Sequence, residues 1–394
     1  MELKDSIKKL ASELQPQLIK WRRHMHANPE LSFAEYKTMD FITSVLDELG
    51  VEYEEGIADT GVVALIKGVD SESRIVALRS DHDALPIEEK NEVEYASKNL
   101  GVMHACGHDV HTTSLLGAAS ILNSTRSEWK GTIKLIFQPG EERLPGGASL
   151  MIKAGALESP RPKQIIGQHV FPDLEAGHVG MRPGMYMAST DELYLTINGK
   201  GGHAALPKGQ CNPILVASEI LLEFEKLLEN REEQDVKTVL AFGFIEGKGA
   251  TNVIPNSVKL EGTFRSLNEE WRSKAHAQMQ AIVNECCAKR GAEGELEIRI
   301  GYPSVYNNPE LTERVMSNAV EYLGKDKVHL LPERMTAEDF SFYALEMPGC
   351  FYRLGTASPN SELGHHGLHT PQFDVDESAL EIGAGLMAFN AINS

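Results

Sequence analysis

Cys106 and His108 stand two positions apart in His104-Ala105-Cys106-Gly107-His108-Asp109, and further along the chain Glu141 and Glu142 are adjacent. Thiolate, imidazole and carboxylate are donors that hold divalent cations. Gathered at one point without a cation, they repel one another or stay protonated. Two neighbouring carboxylates also meet two separate needs of metal-assisted hydrolysis, one holding the cation and the other taking a proton from the attacking water. Each signal has an ordinary alternative. A Cys-x-His pair is about as often a buried thiol beside a histidine at a helix start, and paired glutamates are usually a solvated surface. The glutamate pair departs from that habit because it follows an apolar run through Gln138-Pro139-Gly140 and precedes Gly146-Gly147, the composition of a loop built for function rather than of a charged helix face.

Other candidates are weaker alone. His169 follows Ile165-Ile166, and His369 precedes Thr370-Pro371, yet with 14 histidines in the chain a plain loop role has the better odds for any one of them. His24, His26, His82, His111, His178, His276 and His329 are assigned no role. His203 follows Gly201-Gly202, which let backbone approach a ligand closely, or which simply form a hairpin. Asn252, in Thr251-Asn252-Val253-Ile254-Pro255, offers an amide to a substrate or makes a turn. Asp109 is close enough to Cys106 and His108 to orient an imidazole from behind.

The elements that position these residues alternate. Thr60 to Lys67, Arg74 to Leu78, Gly131 to Phe137, Gln164 to Gly167 and Gly349 to Leu354 are short apolar or β-branched runs predicted as strands. Helical spacing covers the N-terminal stretch to Ala27, with Pro16 as a break, then Tyr36 to Leu49 and Thr112 to Leu122. This alternation predicts an α/β domain with a mostly parallel sheet, in which ligands bind beyond the carboxyl ends of the strands. Polar residues collect at those ends: Asp81-His82-Asp83, Gln138 to Glu142, and Gln168-His169. Pro139 stops strand pairing and Gly140 permits an unusual backbone angle, so the two carboxylates can face one centre instead of opposite sides. From Met185 to Gly301 the order becomes strand (192–198), helix (213–228), two strands (236–245, 257–265), helix (269–289) and strand (295–300), a ferredoxin-like α+β pattern. Because strand-type residues and His369 lie beyond it, residues 185–301 are read as a domain inserted into a discontinuous one formed by 1–184 and 302–394.

Length and composition agree. A chain of 394 residues exceeds what one core usually holds. With 38 Lys plus Arg against 57 Asp plus Glu, the net charge of −19 disfavours nucleic acid and anionic membrane surfaces. No run approaches a membrane span, and the charged N-terminus is unlike a signal peptide, so the expectation is a soluble, cytoplasmic protein. Five scattered cysteines read as reduced thiols rather than a disulfide framework.

Taken in order, His104 to Asp109, Gln138 to Glu142, Gly167-Gln168-His169-Val170, Gly202 to Pro207 and Leu368-His369-Thr370-Pro371 resemble the M20 metallopeptidase family, in its amidohydrolase branch of N-acyl-amino-acid deacylases, hippurate hydrolases and plant auxin-conjugate hydrolases. The likeness covers nearly the whole chain, including Asn28 to Ser32 and Asp83 to Pro86. It implies a catalytic domain with two divalent metal ions and an inserted lid domain that also makes a homodimer contact. By motif, Cys106 takes the bridging-ligand place, His108 and His169 complete one metal, Glu142 and His369 the other, Glu141 is the general base and Asp83 the orienting carboxylate. His203 and Asn252 match lid groups that reach the substrate, His203 across the dimer, and Arg265 is a candidate for a substrate carboxylate. The chain has Cys106 where most of the wider family has a bridging Asp, and Asp81 where they have a ligand His; both changes typify the amidohydrolase branch. Manganese or zinc is implied, with cobalt or nickel also suited to such donors. The implied reaction is hydrolysis of N-acyl amino acids. A dipeptidase or carboxypeptidase activity of the same site and a non-catalytic metal-binding homologue are the alternatives.

Overall fold

The structure is a computed structural model and describes residues 2–394. The chain divides into two compact units: one from the N-terminal stretch to Gly184 with Tyr306–Pro332 and Asp339–Ser394, the other of Met185–Val305 with Glu333–Glu338.

The first unit is built on an eight-stranded mixed sheet. Its centre is four parallel strands, in the order Thr132–Gln138, Ile75–Asp81, Gln164–Glu175 and Gly349–Ala357. These strands are buried along most of their length and are correspondingly apolar on both faces. Antiparallel strands Gly61–Lys67 and Glu52–Ile57 extend one side. Helices Leu3–Ala27, His108–Ser124, Pro309–Leu323 and Ala379–Asn393 supply much of the buried core, with Leu18, Leu115, Val315 and Leu386 fully enclosed. Residues of the His108–Ser124 helix are buried on all sides, as expected of a helix enclosed within a core.

Register aligns the strand ends. Asp81 is level with Gln138, and Arg79 with Gly167, so His169 stands in the same row as Asp81. Three sequence expectations shift. The Gln164–Glu175 strand runs well past Gly167 and contains His169, because the Gly349–Ala357 strand continues to pair with it. The Glu52–Ile57 strand was not expected, since its outward-facing glutamates hide any apolar pattern. Pro16 does not break the first helix, which is continuous from Leu3 to Ala27. Pro16 is exposed, so the carbonyl left without a donor meets water, and Ile7, Ala11, Leu18 and Trp21 tie both halves to one core.

The second unit has a four-stranded antiparallel sheet in the order Thr238–Glu246, Ser257–Ser266, Asp191–Asn198 and Glu293–Ile300. Helices Pro213–Asn230 and Glu269–Arg290 pack on it through Val216, Ile220, Phe224, Trp271, Met279 and Val283, which meet the inward row Leu193, Leu195 and Ile197. Asn212 and Asn268 cap the two helices, each accepting a backbone N–H of the first turn. This unit extends beyond residues 185–301. Ser304 donates through backbone and hydroxyl to Glu269, and the Ala188 N–H reaches the carbonyls of Arg334 and Thr336. All five cysteines are free thiols. Among the described residues no helix is long and apolar enough to cross a membrane.

Candidate active site

Six side chains converge beyond the carboxyl ends of the parallel strands. Ligand atoms of Cys106, His108 and His169 form one triplet and those of Cys106, Glu142 and His369 a second, with every pair inside a triplet within 4.8 Å. Cys106 is common to both. Its Sγ lies 3.5 Å from His169 Nε2 and 3.3 Å from His369 Nε2, and His369 Nε2 is 3.0 Å from Glu142 Oε1. Glu141 joins His108 and Glu142 in a further group.

Local backbone makes this possible. Gly107 has φ +79° at the start of the His108–Ser124 helix, and a Cβ there would lie 2.5 Å from Val170. Gly140 has φ +59°, and a Cβ would lie 2.2 Å from the Phe33 ring. The chain thus turns sharply after Gln138 and delivers Glu141 and Glu142 inward. His369 itself has φ +60°, a costly backbone for a residue with a Cβ. Its N–H donates to the Ala105 carbonyl at 2.8 Å, tying this loop to the Cys106 loop.

Carboxylates and carbonyls orient the imidazoles. His108 Nδ1 is 3.0 Å from Asp83 Oδ1, while Asp83 Oδ2 accepts the Ser32 hydroxyl at 2.7 Å and the Glu142 N–H at 3.0 Å. His169 donates through Nδ1 to the Val170 carbonyl at 2.8 Å. Both contacts engage Nδ1 and leave Nε2 facing inward, the nitrogen that a cation would take in place of a proton. Asp109 does not orient a ligand as expected. It faces away, accepting from Arg22 and His26 at 2.8 Å each, because Arg22 is fully buried and needs carboxylate partners.

The donor set fits a cation pair. His108 Nε2 is buried with no hydrogen-bond partner among the described residues; the nearest carboxylate oxygens, of Asp81 and Glu142, stand 3.9 and 4.0 Å away. Burial, with the charges of Glu142 and Glu141, pushes the Cys106 thiol well above its usual range. Burial alone would pull His108 down, but Asp81 and Asp83 outweigh it and hold the imidazole at about 10. Burial opposes ionisation of Asp83 too, but His108 and the Glu142 N–H keep it at about 2. Excess negative charge around a buried thiol and an unpaired imidazole nitrogen is relieved by positive ions.

Several supporting residues were not singled out in the sequence. Glu35 is buried and accepts the Gly140 N–H at 2.8 Å. Arg79 donates to Gln138 at 2.8 Å and to Asp339 at 2.7 Å, and is paired with Asp81. A charged residue inside an apolar strand was the available signal for Arg79. His111 was left without a role, although it stands one helical turn from His108 and therefore on the same face.

His203, Asn252 and Arg265 lie in the second unit. The Gly202–His203 strand pairs with Val253–Ile254, and the Ala204 N–H donates to the Asn252 carbonyl at 3.0 Å. His203 is exposed, and its Nδ1 accepts the Ala205 N–H at 3.1 Å. Arg265 is half-buried on the Ser257–Ser266 strand and donates to the Thr263 hydroxyl at 2.9 Å.

The profile of peptidase family M20/M25/M40 matches residues 77–391, a span that includes every member of both donor triplets. The chain belongs to the M20 family. Within it, an N-acetyl-L-cysteine deacetylase of Bacillus subtilis is 39% identical, the match covering 94% of this chain and 86% of that protein. Thermostable carboxypeptidase 2 of Saccharolobus solfataricus is 36% identical over 100% of this chain and 99% of its own. Among solved M20 structures, the YXEP protein of Bacillus subtilis, a dinuclear metal binding peptidase, superposes with a TM-score of 0.82 at 33% identity, over 97% of this chain and 98% of that one.

Proposed function

We propose that this chain is a two-metal amidohydrolase that cleaves the amide bond of N-acyl amino acids, releasing a carboxylic acid and a free amino acid. The observation that carries the proposal is the sharing of Cys106 between two donor triplets with Glu141 buried beside them. The deacetylase relative supports the substrate class.

In this reading Cys106, His108 and His169 hold one divalent cation and Cys106, Glu142 and His369 the other. Manganese or zinc suits these mixed donors best, and cobalt or nickel is also accommodated. Bound cations at this point supply Lewis acidity, acidifying water and polarising the amide carbonyl. Glu141 takes the proton of the attacking water and returns it to the departing amine nitrogen. Asp83 keeps His108 in the tautomer with Nε2 free. His203 donates from Nε2 to the developing oxyanion, a role supported by its Nδ1 being occupied as an acceptor. Asn252 and Arg265 bind the substrate's polar end.

A homodimer formed through the second unit, which acts as a lid, completes the proposal, with His203 reaching the partner's site. Exposed Leu215 and Leu222 on the Pro213–Asn230 helix, with Phe244 and Ile245 on the sheet-edge strand Thr238–Glu246, support such a contact. Free thiols throughout suit a reducing compartment, and the cytoplasm is the proposed location.

Replacing Glu141 by Gln tests the assignment. The variant is expected to bind two metals with wild-type stoichiometry while turnover of N-acetyl and N-benzoyl amino acids falls at least about 100-fold; wild-type turnover contradicts the role of Glu141. The carboxypeptidase relative favours a second reading, cleavage of a C-terminal peptide bond by the same machinery. Parallel kcat/KM values for acyl amino acids and peptides decide between them.

A further inference from the structure

His111 takes part in none of these steps, yet it is fully buried with both ring nitrogens engaged. Nε2 lies 2.9 Å from the Val170 backbone nitrogen, which can only donate. Nε2 is therefore the acceptor, the ring proton sits on Nδ1, and Nδ1 donates to Asp81 Oδ1. Asp81 is held by Arg79, whose guanidinium is anchored in turn by Gln138 and Asp339. The Thr112 hydroxyl donates to the Asp81 carbonyl at 2.7 Å, fixing the same residue from its backbone.

Val170 explains why such a brace is needed. Pairing between the Ile75–Asp81 and Gln164–Glu175 strands ends at Arg79 and Gly167. Beyond that point the two strands no longer pair, although the neighbour runs on to Asp81, and a buried N–H left without an acceptor is costly. His111 takes the place of the missing pairing. The carbonyl of the same residue accepts the His169 Nδ1–H, which leaves His169 Nε2 facing Cys106 Sγ at 3.5 Å. One residue is thus gripped through its N–H by one imidazole and grips a second through its carbonyl.

We propose that His111, braced by Asp81 and Arg79, is a positioning residue for the cation held by Cys106, His108 and His169: it fixes Val170, and Val170 fixes the direction of His169. The inference rests on the two-cation reading of the site. It is selective, because the second triplet's own ligands, Glu142 and His369, receive no hydrogen bond from Val170, His111 or Asp81.

Titration of the metal-free full chain with cobalt, followed by calorimetry and by the thiolate-to-cobalt absorption of Cys106, tests it. Wild type is expected to take two equivalents. Binding of one or none refutes the two-cation reading and takes the proposal with it. His111→Leu keeps the volume and removes both hydrogen bonds, and is expected to weaken one equivalent about tenfold or more while the other stays within about twofold. His111→Gln, with an oxygen for the Val170 N–H and an N–H for Asp81, is expected to restore most of that affinity. Two equivalents at wild-type affinity in the Leu variant, or equal weakening of both equivalents in Leu and Gln variants, overturns the proposal while leaving the two-cation reading intact. If circular dichroism shows that the Leu variant does not fold, Asp81→Asn replaces it. That variant keeps an oxygen for His111 without the Arg79 ion pair, and a several-fold loss at the same single equivalent is expected. No loss, or equal loss at both, overturns the proposal.

Discussion

Glu35 gives a prediction whose size follows from its surroundings. The carboxyl is fully enclosed, with Oε1 accepting the Gly140 N–H at 2.8 Å and Oε2 the Thr60 hydroxyl at 2.7 Å. Burial and then the Asp83 charge raise it from 4.5 to about 7. Between those values the folded chain keeps a proton that the unfolded chain has lost. Stability therefore falls as pH rises through this window and levels off above it. Each tenfold change in a proton equilibrium is about 1.4 kcal/mol, so the displacement from 4.5 to about 7 amounts to about 3 kcal/mol. Glu35→Gln keeps an oxygen for Gly140 and lets Thr60 accept instead of donate, so it removes the titration with little change of shape. Urea unfolding of metal-free wild type and variant, on either side of the window, is the assay; cations are omitted because they themselves favour the carboxylate. The variant is expected to gain about 3 kcal/mol on wild type between acid and neutral pH. A difference that stays constant with pH refutes the reasoning.

Cys106→Asp replaces a soft donor by a hard one, and zinc affinity is expected to fall relative to manganese by at least about tenfold in a competition titration. Asp109→Asn leaves Arg22 and His26 short of a buried charge and is expected to cost about 3 kcal/mol in denaturant unfolding, while metal stoichiometry is unchanged because Asp109 contacts no ligand. Pro16→Ala restores a donor within a continuous helix, and a gain of roughly 1–3 kcal/mol in unfolding free energy is expected.

Much of the fold was legible because it is written in local pattern, whereas the full set of candidate donors, His169 and His369 among them, came from the resemblance of ordered motifs to the M20 family. Apolar runs located the central strands, and a proline and glycine after Gln138 announced a turn that delivers the glutamates inward. What stayed hidden depends on partners distant in sequence. Asp109 looked like a ligand's support until Arg22, from a helix far upstream, was seen to claim it. His111 looked like any histidine without a role, since its task is set by where pairing with the neighbouring strand stops, and no residue near it announces that point. The edge strand of glutamates carried no alternation, because both of its faces meet water over most of its length.

Asp83 has one further consequence. A single carboxylate receives the imidazole of His108 from one triplet and the backbone of Glu142 from the other, with Ser32 closing its remaining side. In the proposed two-cation reading one side chain therefore braces a donor residue of each triplet, so loss of Asp83 disturbs both positions, unlike loss of His111.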